Sequence, residues 1–201
     1  MAFSNYKNIA QVQKKFNIKQ IEQPFITVVQ TTIPPEFLQD FEFVYQNIDV
    51  FTSEASRCET IIFPILKEVY KNYHQQLSLW IQKYIAYDDD LNGAPDYLLA
   101  TKSELGKKVL ESPLLAVVEA KKNDFEQGWG QCLVELVAIQ KLNNLPNLTY
   151  YGIVSDGNVW QFGKLTGDLF IQDPASFTLD QLEEIFGALT FVFDQMYNAV
   201  Q

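Results

Sequence analysis

Gly93-Ala94-Pro95-Asp96-Tyr97-Leu98-Leu99 and Leu114-Leu115-Ala116-Val117-Val118-Glu119-Ala120-Lys121-Lys122 are the two stretches that decide how this 201-residue chain reads. Leu114 to Val118 is an unbroken apolar run ending in two β-branched residues, the pattern of a strand buried on both faces. Glu119 and Lys121 end the apolarity. Side chains alternate along a strand, so these two point to one side and Ala120 to the other. A carboxylate and an ammonium beside a dry core are costly without partners. Tyr97 to Ala100 is a second apolar run, entered through Pro95, which suits a strand's beginning or edge. If the two strands pair as a hairpin, Asp96 approaches Glu119. Two carboxylates and the backbone carbonyl of Ala120 then offer oxygen ligands to one hard cation. Magnesium takes few protein oxygens, water and substrate phosphate.

Pro95-Asp96, 22 intervening residues, then Glu119-Ala120-Lys121 resembles the signature of the PD-(D/E)XK nuclease-like superfamily. Leu148 to Val154, the Asp156-Gly157 turn and the Trp160-containing strand resemble the end of restriction-type nuclease domains, including the N-terminal domain of type I restriction subunits. The likeness covers about residues 53 to 165. It implies an α/β fold, with a restriction-endonuclease-like mixed central sheet flanked by helices. It also implies phosphodiester hydrolysis assisted by Mg²⁺ or Mn²⁺, held by Asp96, Glu119 and the Ala120 carbonyl. Lys121 would orient or help deprotonate the attacking water and stabilise developing charge. In this superfamily a helix ahead of the strands often supplies a glutamate. Glu54 takes that role here, with Glu59 in reserve. A glutamine on the following helix often approaches the site, and Gln131 matches it. A plain solvent-facing Gln131–Glu135 pair is the competing reading.

Composition sets the limits. Hydrophobic content of 47% suffices for a full core, and the length suits one domain: an N-terminal α/β arm over 1–50 and a nuclease-like core with a C-terminal helix over 51–201. No 18-residue apolar window signals a membrane span, and the first residues lack the apolar heart of a signal peptide. Cys58 and Cys132 read as buried thiols, consistent with a reducing cytoplasm. The single histidine, His74, reads as structural or surface. A net charge of −10 argues against an extended non-specific grip on nucleic acid. Lys102, Lys107, Lys108, Lys121 and Lys122 nevertheless cluster near the motif in sequence.

In chain order, Ile9 to Phe16 and Pro35 to Tyr45 have helical spacing, and Phe25 to Val29 reads as a strand. Thr52 or Ser53 caps a helix that contains Pro64, where a kink or break is expected. Glu54 and Arg57 are spaced for a surface pair. Leu77 to Tyr87 suits strands. Asp88-Asp89-Asp90 is a solvated turn, with one aspartate placed to approach the metal. Thr101 to Ser112 is a connecting loop. Helices follow at about 130–142 and 179–200, with strands at 148–154, 159–165 and a short one at Phe170-Ile171. Aromatics in the first fifty residues suit core packing or an interface, and a homodimer contact through the last helix is the lesser option. Two functional readings from other classes stay open: a catalytically silent nuclease-fold binding or assembly module, and a nuclease subunit whose target recognition comes from a partner chain.

Overall fold

Strand β6 (Leu110–Ala120) is the axis of the fold, and residues 114–120 are buried without interruption. The structure, a computed structural model, describes residues 3–122 and 124–201. The opening Met1-Ala2 of the signal-peptide reading and Asn123 ahead of the following helix lie outside the described residues.

A run apolar on both faces needs a layer on each side, and that is the arrangement found. β6 pairs antiparallel with β5 (Tyr97–Lys102) and parallel with β7 (Tyr150–Ser155). The sheet continues outward from β7 through β8 (Val159–Thr166) and β9 (Leu169–Thr178) to β1 (Lys19–Glu22), and outward from β5 to β2 (Leu77–Ile81). The result is a mixed seven-stranded sheet, with β1 parallel to β9 and the remaining neighbours antiparallel. A separate two-stranded ribbon joins β3 (Ile85–Ala86) and β4 (Asn92–Gly93).

Helices cover both faces. α5 (Phe125–Asn143) packs on one side with α1 (Ile9–Phe16), around Val117, Leu98, Leu133 and Leu136. Gly130 makes their contact close, since a Cβ there would lie 2.6 Å from the Asn8 backbone nitrogen. The other side carries α2 (Pro35–Asn47), α4 (Phe63–Tyr70) and α6 (Leu182–Ala199), around Leu99, Val118, Ile65 and Phe193. α5 starts earlier than its apolar pattern suggests because Asp124 accepts from the Gln127 N–H and caps it.

The first fifty residues contribute to both faces and to the sheet edge, through α1, α2 and β1. Phe25 to Val29 forms no strand. The Asp173 carboxylate takes the Phe25 and Ile26 N–H groups at 2.7 and 2.8 Å, which removes them from any ladder. Phe170-Ile171 belongs to a ten-residue strand. The loop expected over 101–112 shrinks as β5 and β6 extend into it. The break expected at Pro64 falls just ahead of it: the regular α-helix is interrupted before the proline, which sits in the first turn of α4. The turn before it widens into a π-helical segment, Cys58–Ile62, which joins α3 (Glu54–Arg57) to α4. The wider turn makes room for a ring that would otherwise meet the preceding carbonyls. No described helix is long and apolar enough to cross a membrane, and both cysteines are free thiols, Cys132 buried and Cys58 half-buried.

Candidate active site

The β5–β6 register pairs Tyr97 with Val118, so the next step outward sets Asp96 opposite Glu119. The approach is direct: the Ala120 N–H donates to the Asp96 Oδ2 at 2.8 Å. Asp96 is fixed from behind as well, because the Gln82 N–H donates to its carbonyl at 2.9 Å. Beyond the end of β6, the Lys121 N–H continues the ladder to the Ser155 carbonyl, and its Nζ meets Glu119 Oε1 at 2.8 Å. The three motif residues thus converge where the parallel strands β6 and β7 end, the edge at which open α/β sheets place their ligands.

Alternation sends Glu119, like Val117, toward the α5 layer. That layer adds an acid that sequence reading set in solvent. Glu135 is 1% exposed, and its Oε2 has no hydrogen-bond partner among the described residues. Gln131, one turn earlier, is also buried and accepts from Gln127 Nε2 at 3.3 Å. The solvent-facing pair is therefore overturned. The signal was present in Cys132-Leu133-Val134-Glu135-Leu136-Val137, a helix turn apolar on every side, which must be buried whatever single acid it contains. Gly128 shares this helix face. A Cβ there would lie 2.7 Å from Val154 Cγ1 and 3.1 Å from Lys121 Cγ, so the missing side chain is what lets the lysine stem pass. Gly128→Ala is expected to displace Lys121 and to cost about 1–3 kcal/mol of packing, partly offset by better helix propensity. Chemical denaturation beside a metal-dependent activity assay checks this, with activity falling further than stability.

Glu54 comes from the opposite layer. Ser53 caps its helix, accepting the Ser56 N–H at 3.0 Å. The expected Glu54–Arg57 surface pair does not form. Arg57 is buried, donates to the Asp156 carbonyl at 2.6 Å and stacks over Phe51. Lys122 Nζ reaches the Thr52 carbonyl at 3.3 Å. Together they tie the start of α3 to the segment after β6 and the turn after β7, which sets Glu54 at the site's rim. Glu54 and Glu59 line the same cleft as Asp96. Of the two, Glu54 is the one whose charge bears notably on Asp96, Glu119 and Lys121, which favours it over Glu59.

The charge balance is strongly negative. Burial, then the neighbouring Asp96 charge, pushes the Glu119 carboxyl up to about 7 against the pull of Lys121. Asp96 is raised by burial and by Glu54, although the Ala120 N–H and Lys121 oppose this. Glu135 is held well above the carboxylate range by burial and by Glu119. Burial pulls the Lys121 ammonium down, but Glu119, Glu54 and Asp96 outweigh it, so the lysine keeps its proton. A bound cation would offset the repulsion among these carboxylates and give the free carboxyl oxygen a partner. The donors are all oxygen, which fits Mg²⁺ or Mn²⁺. Among the described residues, no three Asp, Glu, His or Cys side chains form a ready-made metal cage. A site of two carboxylates, one backbone carbonyl, water and phosphate requires none.

The structure disperses the rest of the predicted cluster. Lys102 donates to the His74 carbonyl, while Lys107 and Lys108 sit in the closed turn of the hairpin. That turn is five residue pairs from Tyr97–Val118, about 17 Å at the usual rise per residue. Asp88 caps its own turn, and Asp90 pairs with Lys15 at 2.8 Å, so these two aspartates are engaged away from the site. Trp160 is packing, fully buried beneath the Asp-Gly turn. Compared with models of known protein families and with curated proteins, the sequence matches none.

Proposed function

We propose that the chain is a nuclease that uses Mg²⁺ or Mn²⁺ to hydrolyse phosphodiester bonds of nucleic acid, on a restriction-endonuclease-like fold. One observation carries this reading: the Asp96 carboxylate accepts the Ala120 N–H at 2.8 Å, so two acids separated by 22 intervening residues meet beside a lysine. The mixed sheet flanked by helices agrees with the superfamily resemblance.

Asp96, Glu119 and the Ala120 carbonyl are the groups that would hold the ion, with Glu54 completing its surroundings. A bound ion of this kind polarises the phosphoryl group and makes water a better nucleophile. Hydrolysis adds water across one P–O ester bond, and negative charge builds on the phosphoryl oxygens. Lys121 keeps its proton among the carboxylates and offers N–H donors to that charge. Its protonation favours orienting water and stabilising charge over acting as a base. Asp96 and Glu119 are themselves oriented, one by the Ala120 N–H and the other by Lys121 Nζ.

The test is cleavage of labelled oligonucleotides with Mg²⁺, Mn²⁺ or EDTA. The unaltered protein should cut only with metal, and Lys121→Met should slow cutting by about 10²–10³-fold while the protein remains folded. Cleavage that persists in EDTA would sink the reading. A second reading, a binding or assembly module, is favoured by one feature. α2 and its C-terminal cap present Phe43, Tyr45 and Ile48 to solvent, at 65%, 50% and 48% exposure. Metal binding without cleavage of any nucleic acid would turn the balance toward it. Cleavage that appears only on adding a partner chain would assign target recognition to that partner.

A further inference from the structure

A cleft of about 470 Å³ opens directly beside Asp96, between the π-helical segment and the end of β2. Its volume is that of a small-ligand pocket. Phe63 and Tyr97 form an aromatic wall, their rings parallel within 10° and 6.1 Å apart. Ile81, 57% exposed, supplies an apolar rim. Gln82 follows in a left-handed conformation, with φ of 47°, and its backbone N–H is committed to Asp96. Its side-chain amide is exposed and has no partner among the described residues. An amide presents both a donor and an acceptor, which suits the edge of a nucleobase.

The surrounding charges limit what polymer can enter. Glu54, Glu59 and Asp96 stand in the walls, and the hairpin lysines that would grip a second strand are at the far end of the sheet. Among the described residues no cation lines the cleft, and those nearby are few: Lys67 near the Phe63 ring, and Lys121 with Lys122 at the motif. Duplex binding rests on neutralising many phosphates, whereas an unpaired base binds through its face and tolerates a sparse set of cations.

We propose that this cleft receives an unpaired base next to the scissile phosphate, so that the substrate is single-stranded nucleic acid or the unpaired part of a longer molecule. This rests on the nuclease reading above and specifies its substrate class. Phosphate then lies toward Lys121 and the base toward Phe63, Ile81 and Gln82, which separates the charged part of a nucleotide from its apolar part.

The experiment compares Mn²⁺-dependent cleavage of a single-stranded oligonucleotide, its blunt duplex and the duplex with a single-stranded tail. Ile81→Glu and Gln82→Ala are assayed alongside; both positions are exposed, so these variants keep the fold, which circular dichroism verifies. The single strand and the tail should be cut, and the blunt duplex at least about tenfold more slowly. Ile81→Glu should raise KM for the single strand by about tenfold or more with kcat little changed, within the range seen when one stacking contact is lost. A blunt duplex cut as fast as the single strand, or an unchanged KM in both variants, overturns the cleft assignment and leaves the nuclease reading standing. No cleavage of any of the three overturns both.

Discussion

Glu119→Gln should lower metal-dependent cleavage by about 10³-fold or more, the equivalent of about 4 kcal/mol of lost transition-state stabilisation, and should simultaneously change how stability depends on pH. The two effects share a cause. Glu119 is 4% exposed and supplies both a proposed ion ligand and the partner of Lys121. Burial first, and the Asp96 charge second, raise its carboxyl to about 7 from an ordinary 4.5. Between those two values the folded chain holds a proton that the unfolded chain has already released. Stability is therefore fully present below about pH 4.5 and is lost as pH rises toward 7, at about 1.4 kcal/mol per pH unit for each such proton. Asp96 and Glu135 are raised as well and act in the same direction. Without metal, the unaltered protein should thus lose stability on going from pH 5 to pH 7. Glutamine cannot ionise, so the variant should show a shallower slope.

Added Mg²⁺ gives the complementary result. An ion that binds only the folded chain stabilises it by about 2.7 kcal/mol at a hundred times its Kd, and it favours the ionised carboxylates. The gain should therefore be larger at pH 8 than at pH 5, and largely absent in Glu119→Gln. Denaturant titrations at the two pH values, with and without the ion, measure all of this. Equal slopes for both proteins in the absence of metal would remove Glu119 as the titrating group.

How far the site could be seen in advance depended on whether its determinants were local. Leu114 to Val118 was legible because a run apolar on both faces has few homes besides a central strand, and Asp96 followed once its strand was paired with that run. Phe25 to Val29 has an equally strand-like composition, yet Asp173, far away in sequence, takes its N–H groups. Arg57 spaced well for Glu54, but its partner lies 99 residues on. The lysine cluster failed for a geometric reason: residues near each other in a hairpin's sequence can sit at its opposite ends. Glu135 is different, since the apolar helix around it announced burial. What sequence alone lacked was a reason for an acid to be there, and the neighbouring Glu119 supplies one.

Glu135→Leu should make the metal-free protein more stable while impairing its work. The carboxyl is buried, has one oxygen with no partner among the described residues, and is pushed toward its protonated form by burial and by Glu119. Leaving a buried polar group unsatisfied costs about 1–3 kcal/mol, which an apolar side chain of similar size avoids. The gain should be greater at pH 8 than at pH 5, because a carboxyl raised in the folded state destabilises it increasingly as pH climbs above the ordinary 4.5. An acid kept in so unfavourable a place is the mark of a site where function was retained at the expense of stability. Glu135→Leu should therefore show weaker stabilisation by Mg²⁺ and slower cleavage, and Glu135→Gln, which keeps the shape and a polar amide, should recover less than half of either. If Glu135→Leu is instead destabilised by about 2 kcal/mol or more, in the manner of an ordinary core residue made to fit badly, the carboxyl has satisfying contacts and the reading of Glu135 as an acid kept for the site falls.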